Sequence, residues 1–290
     1  MNLRTACLLV FSCLATLASA NTTINNTNKF AYGANIGWIN WQADTNSGAS
    51  VGHYFCTGYV YSANAGWVGL GHGPTNLRNY SNASKDDYGV NIEDGGQLRG
   101  FAYGANIGWI NFEAQGNPRV DLLTGELHGS AYGANVGWIS LNNAQALVQT
   151  DSLNPGPNAD GDGLPDWWEL KYTSNLGMIG GGTNDSDGDG MLDVDEYAAD
   201  TDPLSAGEKL EITALTTDGG TNANVTWSLT KNSRLYSLST ADVLSNGTAW
   251  TDSGLGIFSP DAGTETTRPV GTPGVTSRFY RAVSHVPLSP

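Results

Sequence analysis

Phe30-Ala31-Tyr32-Gly33-Ala34-Asn35-Ile36-Gly37-Trp38-Ile39-Asn40-Trp41 returns almost unchanged at Phe101 to Phe112, with close variants at Val60 to Leu70 and Ser130 to Leu141. The tryptophans Trp38, Trp67, Trp109 and Trp138 are 29, 42 and 29 residues apart, so two similar pairs are displaced by 71, as a duplicated pair would be. From Val120 to Tyr132, apolar residues alternate on either side of a glycine turn, and a third alternating run starts at Trp138. Alternation at period two is the mark of a half-buried strand. Each unit therefore reads as a three-stranded meander, and four meanders can bury their faces only against one another. The expectation is one all-β repeat domain over 21–148, closed radially or stacked, with an insertion loop around Pro74 to Lys85. Aligning the second unit on the fourth places Cys56 on Leu127, so the thiol is expected to act as a small buried hydrophobe.

Two readings of the Gly-Trp steps follow. Exposed aromatic planes could stack on sugar rings while Asn35, Asn64, Asn106 and Asn135 bond hydroxyls. Alternatively the aromatic residues are core wedges and each asparagine takes a left-handed turn position. Recurrence of the tryptophans with the strand pattern favours the second. The repeats resemble those of bacterial surface proteins, a likeness that supplies no ligand.

Downstream lie two acidic loops, 158–169 and 185–196. Read as twelve-residue units, they place Asn158, Asp160, Asp162 and Asp166, and Asp185, Asp187, Asp189 and Asp193, at positions 1, 3, 5 and 9. Gly163 and Gly190 stand at position 6, and Glu169 and Glu196 at position 12. Leu164 and Met191 at position 7 would offer backbone carbonyls. Alternate residues of a tightly turning loop aim oxygens inward, which is what a hard cation needing six to eight oxygens requires. The pattern occurs twice, 27 residues apart, and implies two Ca2+ sites. Neutral Asn158 leaves the first loop one charge short, so it is expected to bind more weakly. The residues before each loop are rich in Pro and Gly, which disfavours an entering helix, so half-hands with short exiting helices are expected. With the Glu196-Tyr197 step and the Thr201-Asp202-Pro203 ending, residues 154–205 resemble thrombospondin type 3 and dockerin-like calcium repeats. That resemblance implies calcium-dependent structure and no catalysis.

After Pro203 short alternating runs appear at Leu210 to Leu215, Val225 to Leu229, Leu235 to Ser239 and Arg278 to Val283, with turns at Asp218-Gly219-Gly220 and Asn246-Gly247. About seven short strands in this stretch suggest a β-sandwich, and the layout resembles fibronectin type III-like or immunoglobulin-like modules. The fold class is thus mainly β in four parts: a signal peptide over 1–20, the repeat domain over 21–148, a calcium-binding segment with short helices over 149–206, and a sandwich over 207–290.

The first twenty residues resemble a secretory signal, with Arg4, an apolar run from Ala6 to Leu17, and Ala18-Ser19-Ala20 for cleavage. A lipoprotein reading at Cys13 suits Phe11 poorly. Removing the signal discards Cys7 and Cys13 and leaves Cys56 unable to form an intrachain disulfide. The formal charge of −15 argues against nucleic acid or anionic membrane partners. Twelve of the 28 acidic residues lie between Asp160 and Asp202, with Lys171 as the lone base, which gives the charge a local, cationic purpose. No later apolar run reaches the ~20 residues of a membrane span. His53, His72, His128 and His285 are scattered without metal-ligand or triad spacing, so no enzyme is expected. The expected role is an exported, calcium-binding structural or adhesion-type surface protein whose partner is a surface glycan or another surface protein. A lectin-like carbohydrate-binding module using the aromatic repeats is the alternative.

Overall fold

A computed structural model describes residues 22–44, 46–217, 222–245, 247–271 and 277–289. The signal segment and the turns at 218–220 and Asn246 lie outside the described residues.

The chain is mainly β. Its first strands are β1 (Ile24–Gly33) and β2 (Gly37–Asn40), followed by β3 (Ser50–Val51), β4 (Cys56–Ser62) and β5 (Gly66–Gly71). Next come β6 (Val90–Ile92), β7 (Leu98–Gly104) and β8 (Gly108–Asn111), then β9 (Arg119–Val120), β10 (Glu126–His128), β11 (Ser130–Gly133), β12 (Gly137–Ser140) and β13 (Val148–Thr150). Four repeat hairpins, β1-β2, β4-β5, β7-β8 and β11-β12, pair in sequence order, and β12 returns to β1. The repeats close radially into an eight-stranded antiparallel barrel.

Register explains the closure. Inside a hairpin Ala31 faces Ile39, whereas at the seams Ile39 faces Ser62, Val68 faces Gly104, Ile110 faces Gly133 and Ile139 faces Gly33. Each seam thus steps two residues along the strand, and four seams accumulate eight. Eight strands with that stagger tilt by about 36° and leave an interior that side chains fill. They fill it in layers of four. Ile36, Ala65, Ile107 and Val136 plug the turn end, followed by Ile39, Val68, Ile110 and Ile139, then Ala31, Val60, Ala102 and Ala131, then Trp41, Leu70, Phe112 and Leu141, all buried. Unit two has Ala65 where the others have Ile or Val, and Val60 where they have Ala, so the volume stays nearly level.

The third strand of each meander is short and pairs with the lower part of the long strand: β3 with β4, β6 with β7 and β9 with β10. For the first unit that strand is β13, from the far end of the repeats, which pairs with β1 and ties the two ends together. At the bend of the long strands Gly58 and Gly129 have φ of 85° and 79°, and a Cβ at either would stand 2.2 Å from a carbonyl oxygen, of Gly48 and Asn117 respectively. Cys56 is fully buried, and burial pushes its thiol up to about 12.

The barrel tryptophans are not core wedges. Trp38, Trp67, Trp109 and Trp138 lie on the outer wall, exposed by 49%, 47%, 43% and 49%. Each packs at ring-centroid distances of 4.8–5.2 Å against the tyrosine paired with it across the hairpin, Tyr32, Tyr61, Tyr103 or Tyr132. The left-handed turn position belongs to Gly37, Gly66, Gly108 and Gly137, not to the asparagines. Each asparagine instead donates to the turn of the preceding hairpin: Asn35 to Val136 O (3.1 Å), Asn64 to Ile36 O (3.2 Å), Asn106 to Ala65 O (3.2 Å) and Asn135 to Ile107 O (3.1 Å). These bonds form a closed ring around one rim, so the asparagine amides are occupied by the fold.

Two helices follow, α1 (Asp166–Tyr172) and α2 (Asp193–Ala199). The last part is a sandwich of two three-stranded sheets. One is β14 (Ile212–Thr217), β15 (Asn222–Ser228) and β18 (Glu265–Gly271); the other is β16 (Leu235–Ala241), β17 (Thr251–Asp252) and β19 (Phe279–His285). Val225, Trp227, Tyr236, Leu238 and Val270 fill the space between them. β18 breaks the alternating pattern with Pro269, which it tolerates as an edge strand beside β15. Beyond β19 the chain returns to the barrel, where Leu153 N donates to Leu288 O at 2.9 Å and the Leu288 side chain packs against the barrel core.

Candidate calcium centre

Residues 155–157 form no helix or strand, with Gly156 at φ 85°, and bring the chain to the first loop with no entering helix. α1 starts at Asp166, so position 12, Glu169, sits in its first turn. The second loop repeats this: α2 starts at Asp193 and carries Glu196 in its first turn. Both helices leave their loops and neither loop is entered by one, which is the half-hand geometry that the Pro and Gly runs imply.

The loops are wound by their own carboxylates and amides. Asn158 Oδ1 accepts from Gly161 N at 2.7 Å and Asp162 Oδ1 from Leu164 N at 2.7 Å. In the second loop Asp185 Oδ1 accepts from Gly188 N at 2.8 Å, Asp187 Oδ1 from Asp189 N at 3.0 Å, and Asp189 Oδ1 from Met191 N at 2.7 Å. In Asp187 and Asp189 one oxygen shapes the loop while the other is buried beside it. Carboxylate oxygens of Asp160, Asp162 and Glu169 all lie within 4.8 Å of one another, and so do those of Asp185, Asp187 and Asp189.

Glu169 is 0% exposed, and among the described residues neither of its carboxylate oxygens has a hydrogen-bond partner. Asp187 Oδ2, Asp189 Oδ2 and Glu196 Oε2 are likewise buried without one. An uncompensated buried charge is too costly for a fold to keep. The protein's own remedy would be a proton: desolvation first, then Asp162 and Asp160, push Glu169 up to about 8. Desolvation and Asp187 push Glu196 up to about 8 as well. A divalent cation amid these oxygens removes both penalties at once, and an all-oxygen donor set suits a hard ion such as calcium.

Position 9 departs from the ligand expectation. Asp166 Oδ1 accepts from Ala159 N at 2.7 Å. Asp193 accepts from Ser186 N at 2.8 Å, Ser186 Oγ at 2.7 Å and Gly180 N at 3.1 Å. These two carboxylates staple the start of each loop to the helix and stand outside the clusters. Leu164 is buried in the apolar layer under the loops, and Met191 is half-buried at the matching place. The loops also touch each other, since Asp162 Oδ2 accepts from Gly181 N at 2.6 Å, so the approach to the second loop braces a carboxylate of the first.

The setting of the loops was not legible in their motif. Leu164, Trp167, Trp168 and Ile179 form a small core of their own, and Tyr54 of the barrel packs into it with its ring centroid 3.7 Å from that of Trp167. On the opposite side Arg234, at the start of β16 and 1% exposed, closes the C-terminus of α2 by donating to Tyr197 O at 2.8 Å and Ala198 O at 3.1 Å. Asp200, the left-handed cap of α2, accepts from Lys171 Nζ at 3.0 Å and Ser233 Oγ at 2.6 Å. Its carboxyl is opposed by desolvation, yet Arg234 and Lys171 hold it below the usual carboxylate range. Burial and Arg234 likewise keep nearby His53 uncharged, with its pKa lowered to about 3. Nothing in local spacing marks Tyr54, Asp200 or Arg234, because their partners lie far away in the sequence.

Among the described residues no helix is long and apolar enough to cross a membrane. Comparison with protein-family models, with curated proteins and with solved structures finds no match to this chain.

Proposed function

We propose that this protein is an exported, calcium-binding structural protein of the adhesion type, in which two EF-hand-like loops rigidify the link between a β-barrel and a β-sandwich. The observation that carries the reading is Glu169: a fully buried glutamate with two unpartnered oxygens, beside Asp160 and Asp162, on the helix whose Trp167 lies on the barrel. Calcium removes the repulsion in the loops, the loops seat α1 and α2, and the helices grip Tyr54 on one side and Arg234 on the other. The resemblance of 154–205 to thrombospondin type 3 and dockerin-like repeats supports the same reading, as does the secretory character of residues 1–20. The role is mechanical, and no residue is assigned a catalytic part.

Calorimetric titration of the full chain with calcium tests it. Two sites are expected, with dissociation constants on the order of 0.1 to 1 mM as in extracellular modules. Glu169→Gln and Glu196→Gln should each abolish one of them. Absence of heat at millimolar calcium would contradict the proposal.

A further inference from the structure

The barrel core is complete without its four outer tryptophans, so their exposure calls for another explanation. Trp109 meets Tyr88 in an edge-to-face contact at 5.0 Å, and neither it nor Trp67 nor Trp138 lines the cleft found at Trp38. Trp38 is different. It forms one wall of an open cleft of about 810 Å³ bounded by the lower part of β1 and the loop before β13. That volume lies within the range of small-molecule sites.

The chemistry of the cleft is apolar plane plus neutral amide. Phe30 meets Trp38 in an edge-to-face contact at 6.1 Å, and both rings line the cleft. Around it are Asn28, Asn142 and Asn143, each anchored through one end of its amide. Asn28 Nδ2 donates to Gln149 Oε1 at 2.8 Å, Asn142 Nδ2 meets His128 Nδ1 at 3.1 Å, and Asn143 Oδ1 accepts from Gln145 N and Ala146 N at 2.9 Å each. Among the described residues their other ends, Asn28 Oδ1, Asn142 Oδ1 and Asn143 Nδ2, have no partner and are left for a ligand. Glu126 adds an acceptor. Amides held at one end are pre-organised, so little ordering entropy is lost when the other end binds.

We propose that this cleft is a binding site for a neutral glycan, whose C–H face would stack on Trp38 and whose hydroxyls would bond the three asparagines. The net charge of −15 and Glu126 in the wall disfavour an anionic polysaccharide. Unlike the rim asparagines, these three belong to the first unit and its closing loop, so one site per chain is expected rather than four. The cleft shares no residue with the calcium loops, so the two proposals stand or fall separately.

The test passes the full chain over immobilised neutral polysaccharides, namely cellulose, chitin, mannan and a β-1,3-glucan, in calcium and in EDTA. Retention on at least one of them, unchanged by EDTA, is the expected result. Trp38→Ala and Asn142→Ala should each weaken it by tenfold or more. Trp138→Ala, equally exposed but outside the cleft, should leave it unchanged. An unchanged thermal unfolding midpoint shows that each variant is folded. Retention on none of the four, equal loss with Trp38→Ala and Trp138→Ala, or a concentration-dependent dimer that Trp38→Ala abolishes would each overturn the proposal.

Discussion

Trp167 of α1 lies against Tyr54 of the barrel with ring centroids 3.7 Å apart, and its indole Nε1 donates to Pro155 O at 2.6 Å. One side chain therefore joins the first loop, the segment that leads into it and the barrel wall. Trp167→Ala should cost about 3–5 kcal/mol, the usual range for removing a buried aromatic. Denaturant unfolding with calcium present checks this, and the loss should fall on the transition that reports the helices, because the barrel layers are filled independently.

The ion-free loops carry a pH signature. Glu169 and Glu196 have folded pKa values near 8, raised from 4.5 chiefly by burial and then by neighbouring aspartates. Between those values the folded state binds more protons than the unfolded state, so stability falls as pH rises from about 4.5 to 8. In EDTA the melting temperature should therefore be higher at pH 5.5 than at pH 8. Calcium should reverse the order, because it replaces the protons, and its binding at pH 7 should release protons detectable in buffers of different ionisation enthalpy.

The two sites are not equal. Asn158 leaves the first loop one negative charge short of the second, but Lys209 Nζ stands 3.8 Å from Asp189 Oδ2 and donates to Asp189 O at 3.1 Å, offsetting part of that advantage. Asn158→Asp should tighten the first site by about 1 kcal/mol, the scale of one extra charge at ~4 Å in a wet loop. Lys209→Gln should tighten the second. Calcium titrations of the single variants distinguish the two effects.

The ring of asparagines at the barrel rim should behave as four similar bonds. Asn106→Ala removes the bond to Ala65 O and should destabilise the barrel by about 0.5–1.5 kcal/mol. Thermal unfolding is the readout, and the same substitution at Asn135 should cost a similar amount.

Much of the barrel was legible in the chain. Repetition of the Gly-Ala-Asn turn between alternating runs marks the hairpins, and the glycine turn before Leu127 marks the short third strand. Closure was open because it depends on Ile139 meeting Gly33, a pairing between units that no local pattern encodes. The direction of the tryptophans could have been read from parity: Ile39 and Trp41 share one face of their segment, which leaves Trp38 and Asn40 on the other. In the loops, spacing locates the two carboxylate clusters, but it does not separate an aspartate that faces an ion from Asp166 and Asp193, which bond the loop backbone. β18 was invisible because Pro269 argues against a strand until an edge is known.

Limited trypsinolysis tests the central claim most directly, since Lys171 is the only lysine or arginine between Arg119 and Lys209 and lies on α1 itself. With several millimolar calcium its peptide bond should resist cleavage, and in EDTA the chain should split after Lys171 on the order of tenfold faster or more, the protection expected when ligand exceeds its dissociation constant about tenfold. Equal rates in both conditions would contradict the account.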